Sequence, residues 1–187
     1  MFRTDRLLLR RWRQSDHAPF AAINADATAM RYMRSCLTHA ESGRWIERIE
    51  AEFERDGFGL WALERVSDGS FIGFTGLNRY PFEASFAPAV EIGWRLAPVF
   101  WGNGYATEAA IAALELGFEK YRLPEIIAET AVTNLPSRNV MNRIGMRHDP
   151  ISDFMHPNLP EDHPLGPHVL YRASAPEHRQ GQKTLIS

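Results

Sequence analysis

Between residues 90 and 121 the chain reads VEIGWRLAPVFWGNGYATEAAIAALELGFEKY, an alternating strand pattern that passes through two closely spaced glycines into an amphipathic helix. The helical part spaces Ala109, Ile111, Ala113, Leu114, Leu116 and Phe118 into a wide apolar face, the kind that lies on a sheet. Gly102 and Gly104 fall just before that helix, where unpaired backbone N–H groups and a partial positive charge favour an anion. Two readings follow: an anion cradle, or a tight turn that uses glycine for steric reasons alone. A P-loop would continue Gly104 with Lys and Ser or Thr, but Tyr105 and Ala106 stand there, which disfavours a nucleoside triphosphatase. A dinucleotide fingerprint calls for Gly or Ala where Thr107 stands, and for a strand that runs straight into the first glycine rather than through APVFW.

The neighbouring segments alternate in type. RLLLRRW reads as a strand, and Ser15 or Asp16 is placed to cap a helix through HAPFAAINA. Thr38 with Glu41 forms a capping box that opens a helix stopping at Gly57. FGLWALERV, SDGS and FIGFTGLNRY make a hairpin, VEIGWRL is the next strand, and EIIAETAV follows the long helix. NLPSRNVMNRIG reads as a short helix capped by Asn134, with strands at MRHDPI and HVLYRAS after it. The expectation is an α/β (α+β) fold with a mixed, mostly antiparallel sheet and helices on both faces, forming one domain over residues 1–174 with a polar tail at 175–187.

With 187 residues, 44% of them hydrophobic and 24% charged, one core is the natural outcome. A net charge of -2 supplies no field to gather nucleic acid or anionic lipid, so neither is an expected partner. The early apolar run, Leu7 to Leu9, is too short for a signal peptide's core, and the chain reads as soluble and cytoplasmic. The single cysteine, Cys36, excludes an intramolecular disulfide; with no relay residue near it in sequence, it reads as a small buried apolar residue.

WGNGYATEA, followed after a strand by NLPSRNVMNRIGM and preceded by TDRLLLRRW and VEIGWRL, resembles the Gcn5-related N-acetyltransferase (GNAT) family, most of all its RimJ/RimL-like branch of ribosomal-protein N-terminal acetyltransferases. The resemblance spans residues 4–173. The family's motif, Gln or Arg, two free positions, Gly, one free position, then Gly or Ala, maps onto Trp101 to Ala106 and departs only at Trp101. The resemblance implies that Gly102, Asn103, Gly104, Tyr105, Ala106 and Thr107 hold the pyrophosphate of acetyl-CoA. It further implies a sheet splayed at its central strands, with the pantetheine arm against the main chain of Ile92, Gly93 and Trp94. Gly93 reads either as the bulge this needs or as a bend in a core strand.

Acetyl transfer requires a neutral amine, a stabilised carbonyl oxygen and a proton for the departing thiolate. An α-amine, with a reference pKa of about 7.7–8.0, is already partly neutral near pH 7. The resemblance implies Glu91 as the base, acting through water; it serves equally as a group that only binds the ammonium, or as a surface glutamate paired with an arginine. Where many relatives carry a proton-donating tyrosine this chain has Met141, and the branch's serine maps to Ser137, whose alternative is to cap or pad a helix turn. Asn134 and Asn139 map to the pantetheine or pyrophosphate region, and Arg138 and Arg143 to the adenosine phosphates. HDPISDFMHPNLPEDHPLGPH gathers His148, Asp149, Asp153, His156, Asp162, His163 and His168, but its proline-broken spacing lacks a coordination register, so no metal is expected. The segment reads as an acidic loop that attracts an amine, or as a plain surface connection.

The function that follows is acetyl-CoA-dependent N-acetyl transfer to a primary amine, either a protein N-terminal α-amine or a small molecule. A non-catalytic acyl-CoA-binding module and an NAD(P)-dependent reductase are the alternatives, and a homodimer suits the type.

Overall fold

Local capping chemistry opens and closes the longest N-terminal helix, α2 (His39–Asp56). Glu41 N–H donates to Thr38 Oγ1 at 3.2 Å, and Thr38 N–H donates back to Glu41 Oε2 at 2.8 Å. Gly57 ends the helix in the left-handed region at φ 77°, and Ile46, Ile49 and Phe53 form its buried stripe. The computed structural model describes residues 1–175; the polar tail expected from residue 175 lies, Ala175 apart, outside them.

The described chain forms two compact units. The first comprises Met1–Asn78 and Gly93–Ala113. It carries an antiparallel ladder of β1 (Phe2–Arg3), β2 (Leu7–Arg10), β3 (Leu60–Arg65) and β4 (Phe71–Arg79), in that order. The helix α1 (His17–Ala25) and α2 belong to the same unit. Its aromatic core chains Trp12 to Phe20 at 4.7 Å between centroids, Phe20 to Trp45 at 5.3 Å and Trp45 to Phe74 at 5.4 Å. Asp16 precedes α1 as expected, yet its side chain caps the 3-10 turn Gln14–Asp16 ahead of α1, accepting Arg13 N–H at 2.8 Å, rather than α1 itself. Arg10, 5% exposed, binds the same carboxylate with bonds of 2.6 and 2.8 Å, and takes Glu64 at 2.7 Å with its third nitrogen.

The second unit comprises Arg79–Ile92 and the chain from Leu114 onward. The strand β5 (Val90–Leu96) runs out of this unit into the first. Within the second unit β5 pairs parallel with β6 (Glu125–Ala131) through Glu91 and Ile127. β6 pairs antiparallel with β9 (Pro167–Ser174) from Glu125 opposite Ser174 to Ala131 opposite His168. The short strands β7 (Arg147–His148) and β8 (Phe154–Met155) also lie on β9. Pairing is thus mostly antiparallel in a mixed α/β fold, as the pattern implied.

The pattern reads one continuous helix to Tyr121, whereas the α-helix α3 (Tyr105–Glu115) gives way to a π-helical turn over Leu116–Lys120. Tyr121 N–H closes that wider turn on Leu116 O at 3.0 Å, with Gly117 in the loosened stretch. Cys36 is exposed rather than buried: it lies in the irregular connection between α1 and α2, outside any core face. Among the described residues no helix is long and apolar enough to cross a membrane.

Candidate active site

The turn before α3 is tied down from behind and open in front. Trp101 Nε1 donates to Leu96 O at 2.8 Å, and Asn103 Nδ2 donates to Trp101 O at 2.9 Å. Gly102 and Gly104 sit at φ 77° and 79°, where a side chain is strained. A Cβ on Gly102 would meet nothing within 4 Å, and one on Gly104 only Arg6 Nη2 at 3.5 Å. Crowding therefore does not explain the glycines; a left-handed backbone facing open space does. The helical ladder begins with Glu108 N–H on Gly104 O at 3.0 Å, so the N–H groups of residues 105–107 have no acceptor inside the helix.

Charge around the turn is organised by two residues that the sequence pattern did not single out. Arg6 donates from Nε to Glu108 Oε2 at 2.6 Å and from Nη1 to Asn103 O at 2.9 Å, and its guanidinium lies 4.8 Å from the Tyr105 ring centroid. Thr4 Oγ1 donates to Glu108 Oε1 at 2.5 Å. Burial pushes the Glu108 carboxyl up, but the bonds from Thr4 and Arg6 outweigh it and hold the group below the usual carboxylate range. In the sequence this clamp shows only as the TDR of TDRLLLRRW, just ahead of β2.

On β5, Ile92 is buried and Trp94 half-buried. Gly93 accepts Thr75 Oγ1 on its carbonyl at 3.1 Å, and a Cβ there would meet nothing within 4 Å. No neighbour demands glycine at that position. Arg95 is a packing residue: Nη1 donates to Asn24 Oδ1 at 2.7 Å between the rings of Trp45 and Phe74, and burial lowers it to about 10. Glu91, half-buried, stands opposite Ile127 in the register of β6.

In the second unit α4 (Leu135–Arg143) begins at Asn134. Asn134 Oδ1 accepts Ser137 N–H at 3.3 Å as the cap of α4, and Nδ2 donates to Thr130 Oγ1 on β6 at 2.8 Å, so this buried amide is bonded at both ends. Ser137 contributes its main-chain N–H to that cap and keeps a half-buried side chain. Arg138 turns back to Val132 O at 3.0 Å, Asn139 and Arg143 are exposed, and Met141 is a core residue at 1% exposure. The histidine-rich segment resolves into pairs: His148 with Asp153 at 3.0 Å, Asp149 with Arg172 at 2.7 Å, and His168 with Glu129. Among the described residues no group of three or more His, Cys, Asp or Glu side chains converges as a metal site.

A family model described as an acetyltransferase (GNAT) domain matches residues 6–147. The chain is 31% identical to the Bacillus subtilis protein YkkB over 146 residues, 78% of this chain and 84% of that one. The crystal structure of a GNAT-family acetyltransferase from Bacillus anthracis superposes with a TM-score of 0.77 at 25% identity, covering 94% of this chain and 98% of that one. Mycobacterium smegmatis RimJ, crystallised in complex with CoA-disulfide, shares the fold with a TM-score of 0.74 at 22% identity, covering 95% and 89% of the two chains.

Proposed function

The chain belongs to the GNAT family of N-acetyltransferases, and on that premise we propose that it moves an acetyl group from acetyl-CoA directly to a primary amine, as the RimJ/RimL-like branch does. The observation that carries this reading is the pair of left-handed glycines opening onto free space ahead of the first N–H groups of α3, which have no acceptor inside the helix. A diphosphate fits such a turn because main-chain donors and the helix dipole both favour negative charge there. Asn103, Tyr105, Ala106 and Thr107 complete the cradle, with Arg6 holding it in shape through Asn103 O. The CoA-disulfide in the crystal structure of Mycobacterium smegmatis RimJ supports the choice of carrier.

Bound acetyl-CoA supplies an acetyl group activated as a thioester. The main chain at Ile92, Gly93 and Trp94 holds the pantetheine arm, and a strand N–H there faces the thioester oxygen as it gains charge. Asn134, Asn139 and Arg143 belong to the same carrier's binding set. Glu91 offers its carboxylate to the incoming ammonium, and the Ser137 hydroxyl gives a proton to the departing sulfur. The acceptor is a small molecule or a peptide N-terminus.

Calorimetry on the purified chain tests the reading. Acetyl-CoA binds and raises the melting temperature while NAD(P) does neither, and thiol is released when a reactive amine is present. No uptake of acetyl-CoA by folded protein refutes the proposal, and uptake without thiol release across a broad amine panel makes the chain an acyl-CoA-binding module instead.

A further inference from the structure

The second unit contains a closed circle of six aromatic rings. Its centroid spacings are Tyr80 to Phe82 5.5 Å, Phe82 to His156 5.3 Å, His156 to His168 4.8 Å, His168 to Phe154 5.7 Å, Phe154 to Phe86 5.3 Å and Phe86 back to Tyr80 5.0 Å. Two members carry polar atoms with nothing to bind. Among the described residues, Tyr80 Oη and His168 Nε2 are the buried side-chain polar atoms without a hydrogen-bond partner, on side chains only 7% and 8% exposed. A lone orphan of this kind is unusual; two on one ring circle point to a ligand that satisfies both.

The electrostatics specify the ligand's sign. His168 Nδ1 is taken by Glu129 on β6, which leaves Nε2 on the opposite side of the imidazole. Burial, and then the charges of Glu129 and Glu91, hold the Tyr80 hydroxyl protonated far above its ordinary range. Burial first, with His168 beside it, keeps His156 below its usual value in spite of Glu129. Two carboxylates and the negative faces of aromatic rings favour a cation. The remaining walls are apolar: Phe82, Phe86 and Phe154 with Ala84, Ala87 and Ala89 pack on Tyr80, Ile127 and Leu170. A polyhydroxylated amine would bury further polar groups there without partners.

We propose that this circle is the acceptor site, that it takes a primary ammonium bearing an apolar substituent, and that His168 Nε2 accepts the proton the nitrogen releases. This rests on the acetyl-transfer reading above and moves the base from Glu91 to His168. The ammonium passes one proton to Nε2, and Glu129 holds the resulting imidazolium until the proton leaves to solvent. The nitrogen lone pair then forms the bond to the acetyl carbonyl carbon, the carbon–sulfur bond breaks with its electrons on sulfur, the sulfur takes the Ser137 hydroxyl proton, and the second nitrogen-bound proton restores that hydroxyl. Tyr80 Oη hydrogen-bonds the nitrogen and orients it.

Phenethylamine is the probe, with spermidine and glucosamine as polar comparisons. Without acetyl-CoA, phenethylamine shifts the ring resonances of His168 and His156 in NMR spectra, and the polar amines do not. His168→Gln lowers kcat for phenethylamine by about 100-fold, within the range of general-base catalysis, while acetyl-CoA Kd stays within about twofold. Tyr80→Phe, which removes only a hydroxyl and keeps the fold if His168→Gln does not, weakens phenethylamine binding roughly tenfold through one lost hydrogen bond. Unmoved His168 resonances, or His168→Gln turning over within about threefold of the parent, overturns the proposal. Resonance shifts by phenethylamine in a protein that does not bind acetyl-CoA would leave the amine site standing and remove the acetyl-transfer reading.

Discussion

Replacing Gly102 with alanine separates a phosphate cradle from a turn that merely needs glycine. Gly102 and Gly57 share φ 77°, and a Cβ on either meets nothing within 4 Å. Alanine in the left-handed region costs roughly 1–2 kcal/mol, so both variants lose the same stability, a fall in melting temperature of about 2–4 °C per kcal/mol for a chain of this size. Binding separates them. In Gly102→Ala the new methyl stands where a phosphate oxygen meets main-chain N–H groups, and displacing one charge-assisted hydrogen bond removes about 1.5–3 kcal/mol. The Kd for acetyl-CoA therefore rises by roughly 10- to 150-fold. Gly57→Ala, at the end of α2, leaves Kd unchanged. Differential scanning calorimetry gives the first quantity and titration calorimetry the second. Matched melting temperatures with matched affinities would show that no phosphate sits at this turn.

Ser137→Ala lowers turnover about tenfold or more, consistent with loss of a modest proton donor to a good leaving group, with acetyl-CoA affinity unchanged; thiol-release kinetics beside calorimetry check it, and equal loss of both removes Ser137 from that role. Glu108→Gln reports on the clamp behind the cradle. Because the folded carboxyl is held below its unfolded value, its contribution is present above the unfolded pKa of about 4.3 and lost as pH falls through the lower folded one. The variant melts about 2–4 °C below the parent at pH 7, the shift of roughly 1 kcal/mol, and the gap closes in acid. A gap that persists below pH 3 would show that packing, rather than charge, is what the substitution removes.

Features governed by neighbours in the chain were legible before any coordinates. The Thr38–Glu41 box, the Gly57 stop and the Asn134 cap each join groups four residues apart or nearer, and all stand where the pattern put them. The strand-to-helix turn was equally readable, because only glycine adopts its backbone at low cost. Asp16 shows where such reading stops: its position before α1 was visible, but the claim of buried Arg10 on its carboxylate was not. Gly117 gave no warning that α3 would widen into a π-helical turn.

The amino-acid order by itself determined the glycine turn ahead of α3 and the alternating elements around it, since backbone preferences and capping bonds act over a few residues. Tertiary structure alone decided that Arg6 and Glu108, 102 positions apart, clamp that turn. It alone decided that rings from residues 80–86 and 154–168 close into one circle with His168 and Glu129. Packing brings such residues together through space, and their separation along the chain does not encode it.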